Sequence, residues 1–132
     1  MKKTGVLHAE LSRVIASMGH GDLLVIGDAG LPVPPGVPVI DLALREGVPG
    51  FLETVEVVLR ELHVEHATID VEMATVSPAM SAAFAAAWPS EIALERVPHA
   101  ELQAKVRGAR AVVRTGEFTP YSNIVLAAGV VF

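Results

Sequence analysis

His20 and Asp22 stand before the apolar run "LLVIG" (23–27), and Asp28 stands directly after it. His99 follows Pro98 at the start of a late helical pattern. The loop "TGEFTPYSN" (115–123) carries Glu117, Thr119, Tyr121, Ser122 and Asn123, and Tyr121 is the one tyrosine of the chain. These are proton carriers and hydroxyl binders. Histidine, with an unperturbed pKa near ~6.5, takes up and returns protons at neutral pH. Such a set suits acid–base work on a neutral polyol. Covalent and redox chemistry fit less well. The chain has no cysteine, no G-x-S-x-G elbow and no G-K-[ST] phosphate loop, and "GDAG" lacks the third glycine and the helix start of a dinucleotide site. The histidines do not have H-E-x-x-H spacing. Nothing in the placing of His20, Asp28 and His99 demands zinc, so no metal is expected.

Each of these residues also has a plainer reading. Asp28 before Ala-Gly fits an Asx-turn. His20 after Gly19 fits the C-terminal surroundings of a helix, where the dipole favours the charged ring. His99 at a helix start is favoured neutral by the same dipole, and Tyr121 after Pro120 can pack on its own loop. His8, His63 and His66 read as solvated.

To act together, these residues need a scaffold. Leu7, Leu11, Val14, Ile15 and Met18 recur at helical spacing and stop at Gly19. Phe51, Leu52, Val55, Val58, Leu59 and Leu62 form a second stripe, with Glu53, Glu56 and Arg60 on the other side. Ser77-Pro78 reads as the start of a third helix, through Trp88. Residues 99–108 read as a fourth, closed by glycine. Strands are expected at 23–27, 37–42, 66–73, 91–97, 109–114 and 123–132. The alternation predicts a single α/β domain over residues 1–132, a three-layer sandwich whose mixed, mostly buried sheet is flanked by helices. Ligands in such sheets sit beyond the carboxyl ends of strands. Asp28 and the 115–123 loop both occupy such ends. Pro32, Pro34, Pro35 and Gly36 stiffen the wall behind Asp28.

Composition narrows the partners. Apolar residues make up 52% of the chain and aromatics only 5%, so the core must be aliphatic, and the excess favours association with further copies. A net charge of -5 offers no footprint for nucleic acid. No run approaches the ~20 apolar residues of a membrane span. His8, Glu10 and Arg13 break up any signal-peptide core, so a cytoplasmic protein is expected. The apolar segment "NIVLAAGVVF" predicts that Val130, Val131 and Phe132 are buried, in the sheet or against a neighbouring subunit.

The stretches "MKKTGVLHAELSRVIASMGHGD", "GDAGLPVP", "GVPGF" and "VRTGEFTPYSNIVLAAGVVF" together resemble the ribose/fucose mutarotase family. The likeness is strong at both ends and weak between about 65 and 98. It implies a cofactor-free sugar isomerase that interconverts the pyranose and furanose forms of D-ribose. It also implies a homo-oligomer, a decamer of two stacked pentameric rings. By resemblance His20 is the proton donor, Asp28 and His99 are substrate contacts, and Tyr121, Ser122 and Asn123 bind sugar. Ser122 stands where alanine is usual, and Gln103 where the family often has lysine. "VEMATVSPAMSAAF" keeps its proline but loses the usual charge. The fucose branch lacks "DAGLPVP", which favours ribose. A mutarotase for another sugar such as L-fucose and a non-catalytic sugar-binding partner of a transporter remain the alternatives. On the ribose reading Asp28 orients a sugar hydroxyl or the His20 ring, and a neighbouring subunit lays its 115–123 loop over the His20 pocket.

Overall fold

Short apolar runs bounded by glycine, proline and aspartate build strands, and apolar stripes at three- and four-residue spacing build helices. The computed structural model, describing residues 1–132, realises both. Its elements are α1 (Ala9–Ser17), β1 (Leu23–Gly27), β2 (Val39–Asp41), α2 (Phe51–Leu59), β3 (Val64–Asp70), α3 (Met73–Val76), α4 (Pro78–Ala87), β4 (Ala93–Val97), α5 (His99–Val106), β5 (Ala109–Arg114) and β6 (Ile124–Ala128). All six strands join one sheet in the order β2-β5-β1-β6-β3-β4. β1 with β5, β2 with β5 and β3 with β4 are parallel, whereas β6 runs antiparallel to both β1 and β3.

Strand side chains alternate between the two faces of the sheet, and each face is covered. Leu24, Ile26, Ala111, Val113, Ile124 and Leu126 face a larger core with Leu11, Val14 and Ile15 of α1, Phe51, Val55 and Val58 of α2, and Phe84 of α4. Val25, Val112 and Val125 face the other way, onto Leu31 and the α5 residues Leu102 and Val106. The expected three layers are therefore present. No helix is long and apolar enough to cross a membrane.

Several ends differ from the sequence reading. β2 is trimmed to Val39–Asp41, β4 begins at Ala93 and α5 ends at Val106. The strand expected over 66–73 runs Val64–Asp70, because Val71 N–H turns to the Val97 carbonyl and α3 begins at Met73. Helix α1 begins at Ala9 rather than Leu7, because the His8 Nδ1 accepts the Leu11 N–H at 3.2 Å and caps it. The last strand stops at Ala128 rather than running to Phe132. Its neighbours begin there: Leu23 pairs with Ala127 and Val64 with Ala128. Beyond that point β6 has no ladder to join. Gly129 N–H donates to the His63 carbonyl at 2.9 Å, and Val131 and Phe132 are exposed at 85% and 101%. The expectation that these residues lie in the sheet is thus overturned for the single chain.

The reversed direction of β6 has a positional result. Ile124, its first residue, pairs with Ile26 on one side and Ile69 on the other. The start of β6 therefore meets the carboxyl ends of β1 and β3.

Candidate functional site

At that meeting point lies a cavity of about 550 Å³. Asp28 and Leu31 from the end of β1, Arg114 from the end of β5, His99 from the start of α5, and Tyr121 and Asn123 from the loop before β6 line it. Both strand-end loops singled out from the sequence contribute, and so does His99.

Asp28 does form the Asx-turn, its Oδ1 accepting the Gly30 N–H at 3.0 Å. The turn leaves the carboxylate at the cavity, so the plain reading and the functional one coexist. Burial pushes the Asp28 carboxyl above its ordinary 3.8, against the pull of the Gly30 N–H, Asn123 and the nearby His99. Its native form therefore binds a proton more readily than its unfolded form. The stability this contributes is complete below the unfolded pKa and is lost as pH rises through the raised folded value. Asp28→Asn should escape that loss. Denaturant titrations from pH 3.8 upward should show the variant gaining on wild type as pH rises. A constant difference would contradict the burial argument.

Asn123 is 1% exposed and ties the loops together. Its Oδ1 accepts the Asp28 N–H at 3.0 Å, and its Nδ2 donates to Asp70 Oδ2 at 2.8 Å. Gly27 leaves room for it: a Cβ there would lie 3.1 Å from that Asn123 oxygen. Asp70, at the end of β3, also meets His99 Nδ1 at 2.9 Å. Burial raises its carboxyl above the ordinary range, while hydrogen bonds from Asn123 and His99 pull it back. The His99 backbone N–H donates to both Glu72 oxygens at 3.1 Å, and Gln103 Nε2 lies 2.9 Å from His99 Nε2.

Tyr121 stands edge-on to His99 with ring centroids 5.2 Å apart. Its backbone φ is 61°, the chain's one positive value outside glycine, a conformation that costs on the order of 1–3 kcal/mol. The surrounding loop enforces it. Ser77 Oγ donates to the Pro120 carbonyl at 2.7 Å. Thr115 Oγ1 donates to the Gly27 carbonyl at 2.7 Å, and Glu117 accepts the Thr119 N–H and hydroxyl. Glu117 Oε1 also takes the Phe51 N–H at the start of α2, at 3.1 Å.

Two residues read as site members lie elsewhere in the single chain. Ser122 is 0% exposed and does not line the cavity; its Oγ is buried with no hydrogen-bond partner. His20 precedes β1, whereas Asp28 follows it, so the five-residue strand, roughly 16 Å of extended chain, keeps them at opposite ends of the sheet. His20 is exposed and pairs with Glu65 Oε2 at 3.0 Å. Asp28 therefore cannot orient the His20 ring of its own chain.

Asp70, Glu72 and Arg114 were not singled out from the sequence. The signal for Asp70 and Arg114 was the one that found Asp28, a polar residue closing an apolar strand. Arg114 Nε donates to the Ala29 carbonyl at 3.0 Å, and its Nη1 holds Asp41 at 3.1 Å, which fixes the floor of the cavity.

A cavity at the carboxyl ends of a mixed, helix-covered sheet, with aspartate, histidine, tyrosine and asparagine set among apolar side chains, defines a small-molecule-binding α/β protein suited to a hydroxylated ligand. The chain belongs to the RbsD / FucU transport protein family, whose profile matches residues 1–131. It is 53% identical to the D-ribose pyranase of Chloroflexus aggregans and 50% identical to that of Laribacter hongkongensis, in each case over 100% of both chains. Among solved structures it is similar to Bacillus subtilis RbsD complexed with D-ribose. The TM-score is 0.94 at 42% identity, over 100% of each chain.

Proposed function

We propose that this chain is an isomerase that interconverts the pyranose and furanose forms of D-ribose. The observation that carries the reading is the convergence of Asp28, His99 and Tyr121 on one cavity, in a chain that matches D-ribose pyranases along its whole length.

The chemistry follows from the hemiacetal. A base removes the anomeric hydroxyl proton, the C1–ring oxygen bond breaks to give the aldehyde, and an acid protonates the departing ring oxygen. Closure by a different hydroxyl reverses these steps. Oxidation state does not change, so no redox cofactor takes part. Each proton transfer by a positioned group is worth roughly 10²–10⁴-fold. Asp28 and Tyr121 hold sugar hydroxyls, and His99 offers a ring nitrogen. Asn123 spends one donor and one acceptor inside the protein and so acts first as a wall, with a second N–H and lone pair to spare. Ser122 supports the loop from behind rather than touching sugar.

His20 is the proton donor in this reading and reaches the cavity from a neighbouring subunit. Its exposure and its distance from Asp28 along β1 support that placement. The same reading includes a cytoplasmic homo-oligomer, a decamer of two pentameric rings. Exposed apolar side chains support association: Leu44 at 79%, Phe118 at 62% and Val76 at 54%. Phe118 lines the cavity, where a neighbour can cover it together with the sugar. Val131 and Phe132 take the second of the two places expected for them, against another subunit.

The test is exchange between ribose forms, read by saturation-transfer NMR, with fucose and galactose in parallel. Acceleration for ribose above the other two is expected. Preference for fucose makes the chain a different mutarotase, and binding without acceleration makes it a sugar-binding partner.

A further inference from the structure

His99 has both ring nitrogens engaged, and the partners are not equivalent. Nδ1 meets Asp70 Oδ1 at 2.9 Å, and Nε2 meets the Gln103 amide nitrogen at 2.9 Å. Asp70 has a partner at each oxygen, and with its carboxylate ionised both can only accept, so Nδ1 carries the proton. With that proton on Nδ1, the neutral ring presents its Nε2 lone pair, and the Gln103 amide nitrogen is placed to donate to it. The second Asp70 oxygen is equally committed, accepting from Asn123 Nδ2 at 2.8 Å. The Asn123 amide cannot turn over, because its oxygen faces the Asp28 N–H at 3.0 Å, which is a donor. The side chain of Asp70 is 0% exposed, so no water competes for it. One buried carboxylate therefore fixes a chain of hydrogen bonds from the Asp28 backbone through Asn123 to His99 and Gln103.

We propose that Asp70 is a positioning residue for the sugar reaction: it holds His99 as the neutral Nδ1–H tautomer, so that Nε2 stays a hydrogen-bond acceptor toward a ligand hydroxyl. The proposal rests on the ribose reading above. Gln103 engages the Nε2 lone pair, and a sugar hydroxyl takes its place. The amide can turn aside because it is half-buried in the middle of α5 rather than enclosed in the core. Asp70 touches no sugar itself. Its effect passes through the ring it orients, as a second layer of groups does for any catalytic histidine.

Asp70→Asn gives a sharp test because the network leaves it one solution. The new amide has a single oxygen, and Asn123 Nδ2, unable to turn, claims it. The new NH₂ then faces His99 Nδ1, which must become an acceptor, so the proton moves to Nε2. Gln103 turns its oxygen to meet that proton. The result is a satisfied network with the wrong tautomer. Histidine labelled with ¹⁵N and read by solid-state NMR reports it, with the His99 signals assigned by their loss in His99→Gln.

Wild type should show the Nδ1–H form and Asp70→Asn the Nε2–H form. Ribose exchange should fall about 10- to 100-fold, the usual cost of losing a group that orients a histidine, while ribose affinity changes less than the rate. A wild-type Nε2–H form overturns the proposal without any variant, even if Asp70→Asn does not fold. An unchanged tautomer or an unchanged exchange rate in the variant overturns it too. If wild type does not accelerate ribose exchange, the ribose reading fails instead, whatever the tautomer.

Discussion

His20→Ala protein should fold as wild type does and exchange ribose forms roughly 10²–10⁴-fold more slowly, the worth of a general acid or base. The two halves of that result have separate causes. His20 is exposed and its one side-chain partner is Glu65 at 3.0 Å, itself on the surface. Exposed pairs of this kind contribute about 0–1 kcal/mol, so the denaturation midpoint should barely move. No core side chain loses a neighbour. A large loss of rate in a protein of normal stability therefore reports chemistry and not damage. Saturation-transfer NMR on an equilibrated ribose solution measures the rate directly. A wild-type rate would remove His20 from the reaction.

The second large effect is a recovery. On its own chain His20 sits at the amino end of β1 and Tyr121 at the carboxyl-end cavity. If neighbours complete each other's sites, every pocket draws His20 from one subunit and Tyr121 from the next. Inactive His20→Ala and inactive Tyr121→Ala proteins, unfolded together in equal amounts and reassembled, then produce pockets of four kinds. About one in four has both residues intact when closed assemblies mix at random. Exchange should rise from near background to about a quarter of the wild-type rate. Mass spectrometry of the assemblies confirms mixing. Mixed assemblies with no recovery would mean that each subunit carries its whole site, and the His20 placement would be wrong.

Much of the fold is legible in the amino-acid sequence. Strands and helices declared themselves through apolar spacing, because the small aliphatic core leaves little else to bury. Asp28 and the 115–123 loop were found by one rule, that ligands sit beyond strand ends. That rule applied equally to Asp70 and Arg114, yet "HATIDVEM" reads as a strand running on to Met73. In the fold Val71 N–H turns to the Val97 carbonyl at 2.8 Å, and a short helix begins at Met73. Without that bend Asp70 looks like a strand interior. The role of Asn123 was legible as polarity but not as a tie, since its partners lie 95 and 53 residues away. Separation of His20 from Asp28 was legible in principle. Five extended residues cannot bring their two ends together. The sequence places these groups as neighbours in the chain, and only the strand between them sets them apart. Ser122 is buried in the loop before β6, next to the positive φ of Tyr121, a backbone turn that no periodicity encodes.

The reversed strand β6 carries a consequence for how the chain is made. β2, β5 and β1 form one parallel ribbon and β3 with β4 another, and the two touch in the sheet only through β6. Five strands are synthesised before residues 124–128 leave the ribosome. Until then β1 and β3 each present an open edge to other chains, a setting in which nascent copies can stick together. The same late segment brings Tyr121 and Asn123. A product interrupted before it would have neither a joined sheet nor a complete cavity wall. Closure of the architecture and competence of the site thus arrive as a single event in biosynthesis.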